Sequence, residues 1–218
     1  MAKRLLPFRQ YDEKDVINEF FVDFQLEDQT ENPNANGAND NGVLVGDPGL
    51  ANKHDTINYT YGNSADPRKQ HSSPVGRNGY PYPPGYLKPL TNGTQIPVGI
   101  TLNQTLKYDE NGEPLLYNPE KLTELQAVLP YQAVPVATAG IFTLSASAFD
   151  AEVDVGDYLT WDLNRTGKFI GFDDVPAFVL GGRQPIAVVL AKGERSSGDA
   201  FPGKYYIIKL DIGMAFKF

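Results

Sequence analysis

From residue 95 to the end of the chain, short β-branched and aromatic runs alternate with Gly, Asp and Asn turns. "TQIPVGITLN", "QAVPVATAGIFTL", "FDAEVDVGDYLTWDL", "KFIGFD", "PIAVVLAKG" and "KYYIIKLDIGMAFKF" each read as one strand or a hairpin, a rhythm that predicts a small barrel or sandwich. "YDENGEPLLY" predicts a hairpin-like excursion turning at Asn111-Gly112. "NPEKLTELQAVL" predicts one short helix, with Pro119 in its first turn and Leu122, Leu125 and Leu129 at helical spacing. The 21 Gly and 17 Pro leave room for no more than one or two short helices in the whole chain. The expected fold class is therefore all-β.

Upstream the pattern changes. Asp12 predicts the cap of a helical turn over residues 12–17. Phe20, Val22, Phe24 and Leu26 then alternate with Phe21, Asp23, Gln25 and Glu27, which predicts a strand over 19–27, a longer amphipathic helix being the alternative. Residues 28–94 are rich in Asn, Gly, Pro and Tyr and sustain no apolar alternation, so they predict an extended arm ordered by a partner. Three segments result: an N-terminal tail and strand (1–27), an extended arm (28–94) and a β-domain (95–218). The strand of the first segment should pair either with its own barrel or with a neighbour.

Charge and composition exclude several functions. A net charge of −8 disfavours phosphate-backbone binding, so nucleic acid is not an expected partner. Absence of Cys removes disulfides, thiolate metal sites and Cys nucleophiles. No apolar run approaches a membrane span, and Arg9-Gln10 interrupts "LLPF" before a signal-peptide core can form.

Chemistry finds no purchase either. "NPNANGANDNGV" lacks the carboxylates of a calcium loop and ends on Val43. His54 and His71 lie in the polar arm without metal-ligand spacing. Carboxylate pairs could be drawn from Asp154, Asp157, Asp162, Asp173 and Asp174, but Asp at strand ends ordinarily serves turns. The reading is a non-enzyme without cofactor, metal or catalytic residue. Trp161, the single Trp, is expected in the core or as a hairpin anchor, with a sugar-stacking platform as the alternative.

Residues 5–20, "LLPFRQYDEKDVINEF", resemble N-termini of tailed-phage virion structural proteins. "VPVATAGIFTLSASAFDAEVDVGDYLTWD", "GKFIG" and "PIAVVLAKG" resemble the small barrels of phage capsid decoration, or cement, proteins; together the resemblance spans residues 5–20 and 134–192. It implies a virion protein assembled in the bacterial host cytoplasm and located on the capsid. It would bind the outer surface and cement neighbouring major capsid subunits as a homo-oligomer, with a trimer favoured. Ordering an arm on a partner costs entropy that only buried apolar anchors offset. The expected partner-binding residues are Leu6, Phe8, Arg9, Tyr11, Tyr80, Tyr82 and Tyr86. A head-fibre anchor, a neck or tail component, and a carbohydrate-binding β-sandwich are the alternatives.

Overall fold

The computed structural model describes residues 4–18, 21–22, 40–47, 86–90, 95–106, 108–109, 111–129, 132–161, 167–172 and 185–212. Fourteen strands and one short α-helix are assigned among them, so the chain is all-β, as its turn-rich sequence predicts.

Sheet A contains β1 (Leu5–Gln10), β10 (Ala139–Ser145), β14 (Gly203–Asp211), β13 (Ala187–Arg195), β11 (Tyr158–Trp161) and β12 (Phe169–Phe172), in that order, every pair antiparallel. Its two longest strands, β13 and β14, alternate. Tyr206, Ile208 and Leu210 of β14 turn inward and are buried, while Tyr205, Ile207 and Lys209 turn outward. Sheet B contains β2 (Val16–Ile17), β9 (Val136–Ala137), β6 (Ile96–Thr101), β4 (Leu44–Asp47), β5 (Tyr86–Pro89) and β3 (Phe21–Val22), with β3 parallel to β5. The main core joins the sheets: Leu44, Ile100 and Ala137 of sheet B pack in one cluster with Phe142, Leu159, Trp161, Phe169 and Ile208 of sheet A. This is a sandwich-like arrangement. Sheet B is buried on its other face too, where Val43, Val45, Leu87, Val134 and Val136 form a second cluster.

The expected division at 27/28 and 94/95 cuts through this core. Leu5, Leu44 and Leu90 belong to the same cluster as Trp161. The described part of the strand expected over 19–27, Phe21–Val22, pairs inside its own chain with Tyr86–Leu87, and so does β1, in a segment expected to be a tail, with Leu5 opposite Leu144 and Gln10 opposite Ile141. Two pieces of the expected arm, Leu44–Asp47 and Tyr86–Pro89, are strands of sheet B. For the first of these the physical reason is burial on both faces. Leu44 faces one cluster while Val43 and Val45 face the other, so no polar alternation marks the strand. Apart from residues 40–47 and 86–90, the expected arm lies outside the described residues.

Arg4 fastens the start of β1. It is buried, its Nη1 donates to the Gly167 carbonyl at 3.1 Å, and its own carbonyl accepts from the Ser145 N–H at 2.7 Å. Burial pushes the guanidinium pKa down, and attraction to buried Asp40 opposes that shift. The turn after Asp40 needs Gly42, which has φ +76°; a Cβ there would stand 3.0 Å from that of Leu5. The capped turn at 12–17 forms as a 3-10 helix, Glu13–Asp15, with Asp12 accepting from the Lys14 N–H. Of the expected strand over 19–27, only Phe21–Val22 is described.

A small module connects β7 (Gln104–Thr105) to β8 (Ala127–Val128). The predicted excursion turns at Gly112 (φ +82°) and leads to a 3-10 turn, Leu115–Tyr117, and then to α1 (Pro119–Glu124). Leu106, Leu115 and Ala127 form its own core, with Leu122, Leu125 and Leu129 packed against it. Asp109 organises the turn by accepting from the N–H groups of Asn111 and Glu113, each at 2.8 Å, and by pairing with Lys121 of α1.

Two outcomes are expected. The isolated 95–218 fragment, lacking Leu5, Leu44 and Leu90, should fail to unfold cooperatively in urea, and Leu44→Ala in the full chain should cost about 2–5 kcal/mol. A cooperative transition from the fragment would contradict the shared core. The second concerns acid. The hydrogen bond from Lys121, then those from the Glu113 and Asn111 N–H groups, hold the Asp109 carboxyl below its ordinary value. A depressed pKa contributes stability that is present above the unfolded value, about 3.9, and lost as pH falls through the folded one. Asp109→Asn should therefore lower the melting temperature at pH 7, and its deficit against wild type should shrink as the pH is taken below about 4. A constant deficit across that range would refute the linkage.

Candidate protein-docking surface

The outer face of sheet A carries an aromatic cluster whose parts come from the two ends of the sequence. β1 is an edge strand, the position that tolerates Pro7, which has no N–H to give to a ladder. Its register slips between Leu5 and Arg9, four residues on β1 spanning the interval from Leu144 to Phe142 on β10. The irregularity turns Phe8 out of the sheet, where it is 64 % exposed.

Arg195, the last residue of β13, meets it from the other end of the chain. Its guanidinium carbon lies 5.3 Å from the centroid of the Phe8 ring and 5.5 Å from that of Tyr205. Both are cation–π distances. The guanidinium is also fixed from behind, because Nη1 donates to the Ala200 carbonyl at 2.9 Å. The hairpin turn that supplies this carbonyl is itself closed: the Ser196 N–H donates to Asp199 Oδ2, and the Asp199 N–H to the Ser196 carbonyl, each at 3.0 Å. Tyr205 lies over Gly193, where a Cβ would come within 2.6 Å of the ring carbon Cζ. Only a glycine allows that approach.

The opposite side of the hairpin is tied to the loop before β11. Lys192 pairs with Asp154, and Lys204 Nζ donates to both Glu152 oxygens at 2.9 Å. Each carboxylate raises the pKa of its lysine. Asp157 accepts from the Asp154 N–H at 2.7 Å, so the strand-end aspartates serve a turn and an ion pair. Asp162, Asp173 and Asp174 lie outside the described residues.

The expected partner-binding residues separate into distinct environments. Phe8 is exposed. Tyr11 is 37 % exposed and stacks on Phe142, centroids 5.8 Å apart. Leu6 is buried in its own chain, so it is no surface anchor. Arg9 donates from Nη1 to the Leu102 carbonyl at 3.4 Å and from Nη2 to Gln126 Oε1 at 3.1 Å, an intramolecular strap. The Tyr86 backbone pairs with Phe21 in sheet B. Tyr80 and Tyr82 lie outside the described residues, as do His54 and His71. Arg195 and Tyr205 were not anticipated. The one signal available was the paired "YY" in a strand of period two, which obliges one ring to face out.

Chemically, an Arg between two rings recognises a surface by area, cation–π contact and hydrogen bonding; it supplies no nucleophile or general base. Among the described residues no group of His, Asp and Glu is placed to hold a metal ion. Trp161 is 5 % exposed and belongs to the main core, which removes it as a sugar-stacking platform. No known family model, curated protein or solved structure matches the chain.

A double-mutant cycle tests the cluster. Phe8→Leu and Arg195→Gln should each leave the fold intact, and urea unfolding should show a coupling of about 0.5–1 kcal/mol between them. Additive effects would mean that the ring and the guanidinium do not hold each other.

Proposed function

We propose that the chain is a non-enzymatic structural protein of a phage virion, binding the outer surface of the capsid and cementing neighbouring major capsid subunits. The observation that carries a docking role is Phe8, an exposed aromatic ring held against Arg195 on a braced hairpin. Aromatic and Arg side chains are the usual anchors of protein interfaces. Because Arg195 is already fixed by the Ala200 carbonyl and by two rings, less conformational entropy is lost on binding.

The virion part of the proposal draws on the resemblance of residues 5–20 and 134–192 to phage structural proteins. Those two stretches, far apart in sequence, meet in both sheets: β1 pairs with β10 in sheet A, and β2 with β9 in sheet B. Assembly as a homotrimer on a local symmetry axis would repeat the Phe8 surface and raise avidity without new contacts. A neck or tail component is the second reading within the same class, and copy number separates the two.

Purified particles of the phage that encodes the chain should contain it at hundreds of copies, measured by quantitative mass spectrometry against the major capsid protein. Particles lacking it should melt at lower temperature. Tens of copies or fewer would favour the neck or tail reading, and absence from the particle would defeat both. Phe8→Ala in the full chain should weaken rebinding to deficient particles by about tenfold or more.

A further inference from the structure

Between β7 and β8 the chain builds a module that exposes two large, adjacent side chains of largely apolar character. Leu116 is 65 % exposed and Tyr117 76 % exposed, and both stand on the 3-10 turn Leu115–Tyr117. Single apolar residues at a surface need no explanation. These two are adjacent, and the turn beneath them is held from three directions. Leu115 is buried in the module's own core. Asp109 gathers the N–H groups of Asn111 and Glu113 and the Lys121 ammonium. A bridge between Tyr108 and Pro114 closes the excursion immediately before the turn. A turn braced in this way loses little further entropy when its side chains enter a pocket.

Charge selects the occupant. Among described residues 108–126 the exposed charged side chains are Glu113, Glu120 and Glu124, and the one lysine, Lys121, is engaged by Asp109. A second copy of the chain offers an open cleft between the first turn and the ends of β10 and β14, but it presents Asp12, Glu13, Asp15 and Asp211 beside Lys209. Acid would then face acid, at a cost. The same acidity opposes docking on an anionic lipid surface.

We propose that Leu116 and Tyr117 form a docking point for a different protein, one that offers an apolar pocket rimmed by Lys or Arg. This rests on the structural-protein reading above, in which that protein is a capsid subunit. The module joins the sandwich through Val128, in the cluster on the face of sheet B turned away from sheet A. Phe8 lies on the outer face of sheet A. Arg9, next to Phe8 on β1, also ties the module to sheet A, its Nη2 donating to Gln126 Oε1 at 3.1 Å.

The test uses shells of the encoding phage made without the chain, to which purified full-length protein is rebound and followed by co-sedimentation. Leu116→Ala/Tyr117→Ala should weaken binding about 30-fold or more, with near-UV circular dichroism and melting temperature unchanged. Tyr117→Ala alone, at the more exposed position, serves if the double variant does not fold, and should still weaken binding about tenfold. Unchanged affinity overturns the docking point while leaving the structural-protein reading intact. Failure of the wild type to bind shells overturns that reading first, and the docking point with it. Glu113→Lys/Glu120→Lys should weaken binding at low salt and have less effect at high salt; no difference at low salt removes the basic rim. If the double variant keeps full shell affinity but loses self-association in sedimentation, the occupant is a second copy and the proposal falls.

Discussion

Everything in this sandwich depends on the guanidinium of Arg4 being buried successfully. A charge taken from water is costly unless it is paired and its donors are used. Here Gly167 supplies a carbonyl acceptor and Asp40 a compensating charge, and both must be in place for β1 to lie against β10. Around that point the Leu5 N–H donates to Asn41 Oδ1 at 3.4 Å, Gly42 turns the chain beneath Leu5, and the Gly167 N–H donates to the Leu90 carbonyl at 2.9 Å. Four distant segments therefore share one small polar knot. Leu5 and Leu90, which take part in this knot, also belong to the main apolar cluster, so the two are packed as one unit.

The same constraint explains the docking surface. With Leu5 and Leu6 drawn into the interior, the register irregularity and Pro7 leave the next residue no inward position. Phe8 must emerge on the outer face. Arg195 can reach it because the β13–β14 hairpin runs on beyond Ala187–Val188, the part of β13 that pairs with β11. A packing requirement at one residue thus exposes an aromatic ring three residues later.

Legibility in the sequence followed the number of buried faces. Sheet A strands such as β14 have one wet face, and their alternation was plain. The Asn111-Gly112 turn and the Pro119 helix start announced themselves through backbone chemistry that acts locally. Val43-Leu44-Val45 gave no such sign, because both of its faces are dry and Asn-rich sequence surrounds it. Leu6 and Arg9 were misplaced for a related reason: an apolar-basic stretch reads the same whether it meets another molecule or its own chain. Arg195 and Tyr205 were invisible as a site since their meeting with Phe8 is set by tertiary pairing alone. Leu116 and Tyr117 belong to the hairpin-like excursion that turns at Asn111-Gly112, whose outward side its sequence does not distinguish from its inward one.

The span of the Arg4 contact has a consequence for synthesis. Arg4 and Gly167 are 163 residues apart, and β1 cannot pair before β10 at residues 139–145 has been made. On a ribosome the segment Leu5–Gln10 therefore waits, unpaired, through most of translation, and such long-range closure is intrinsically slow. A bare strand in that interval is a template for wrong pairing between nascent chains. Pro7 removes a ladder donor from it, and Arg4 and Arg9 place charge on either side, the guards that natural edge strands carry against association. The residue that makes β1 irregular in the finished sandwich also shields it while the sandwich is still being written.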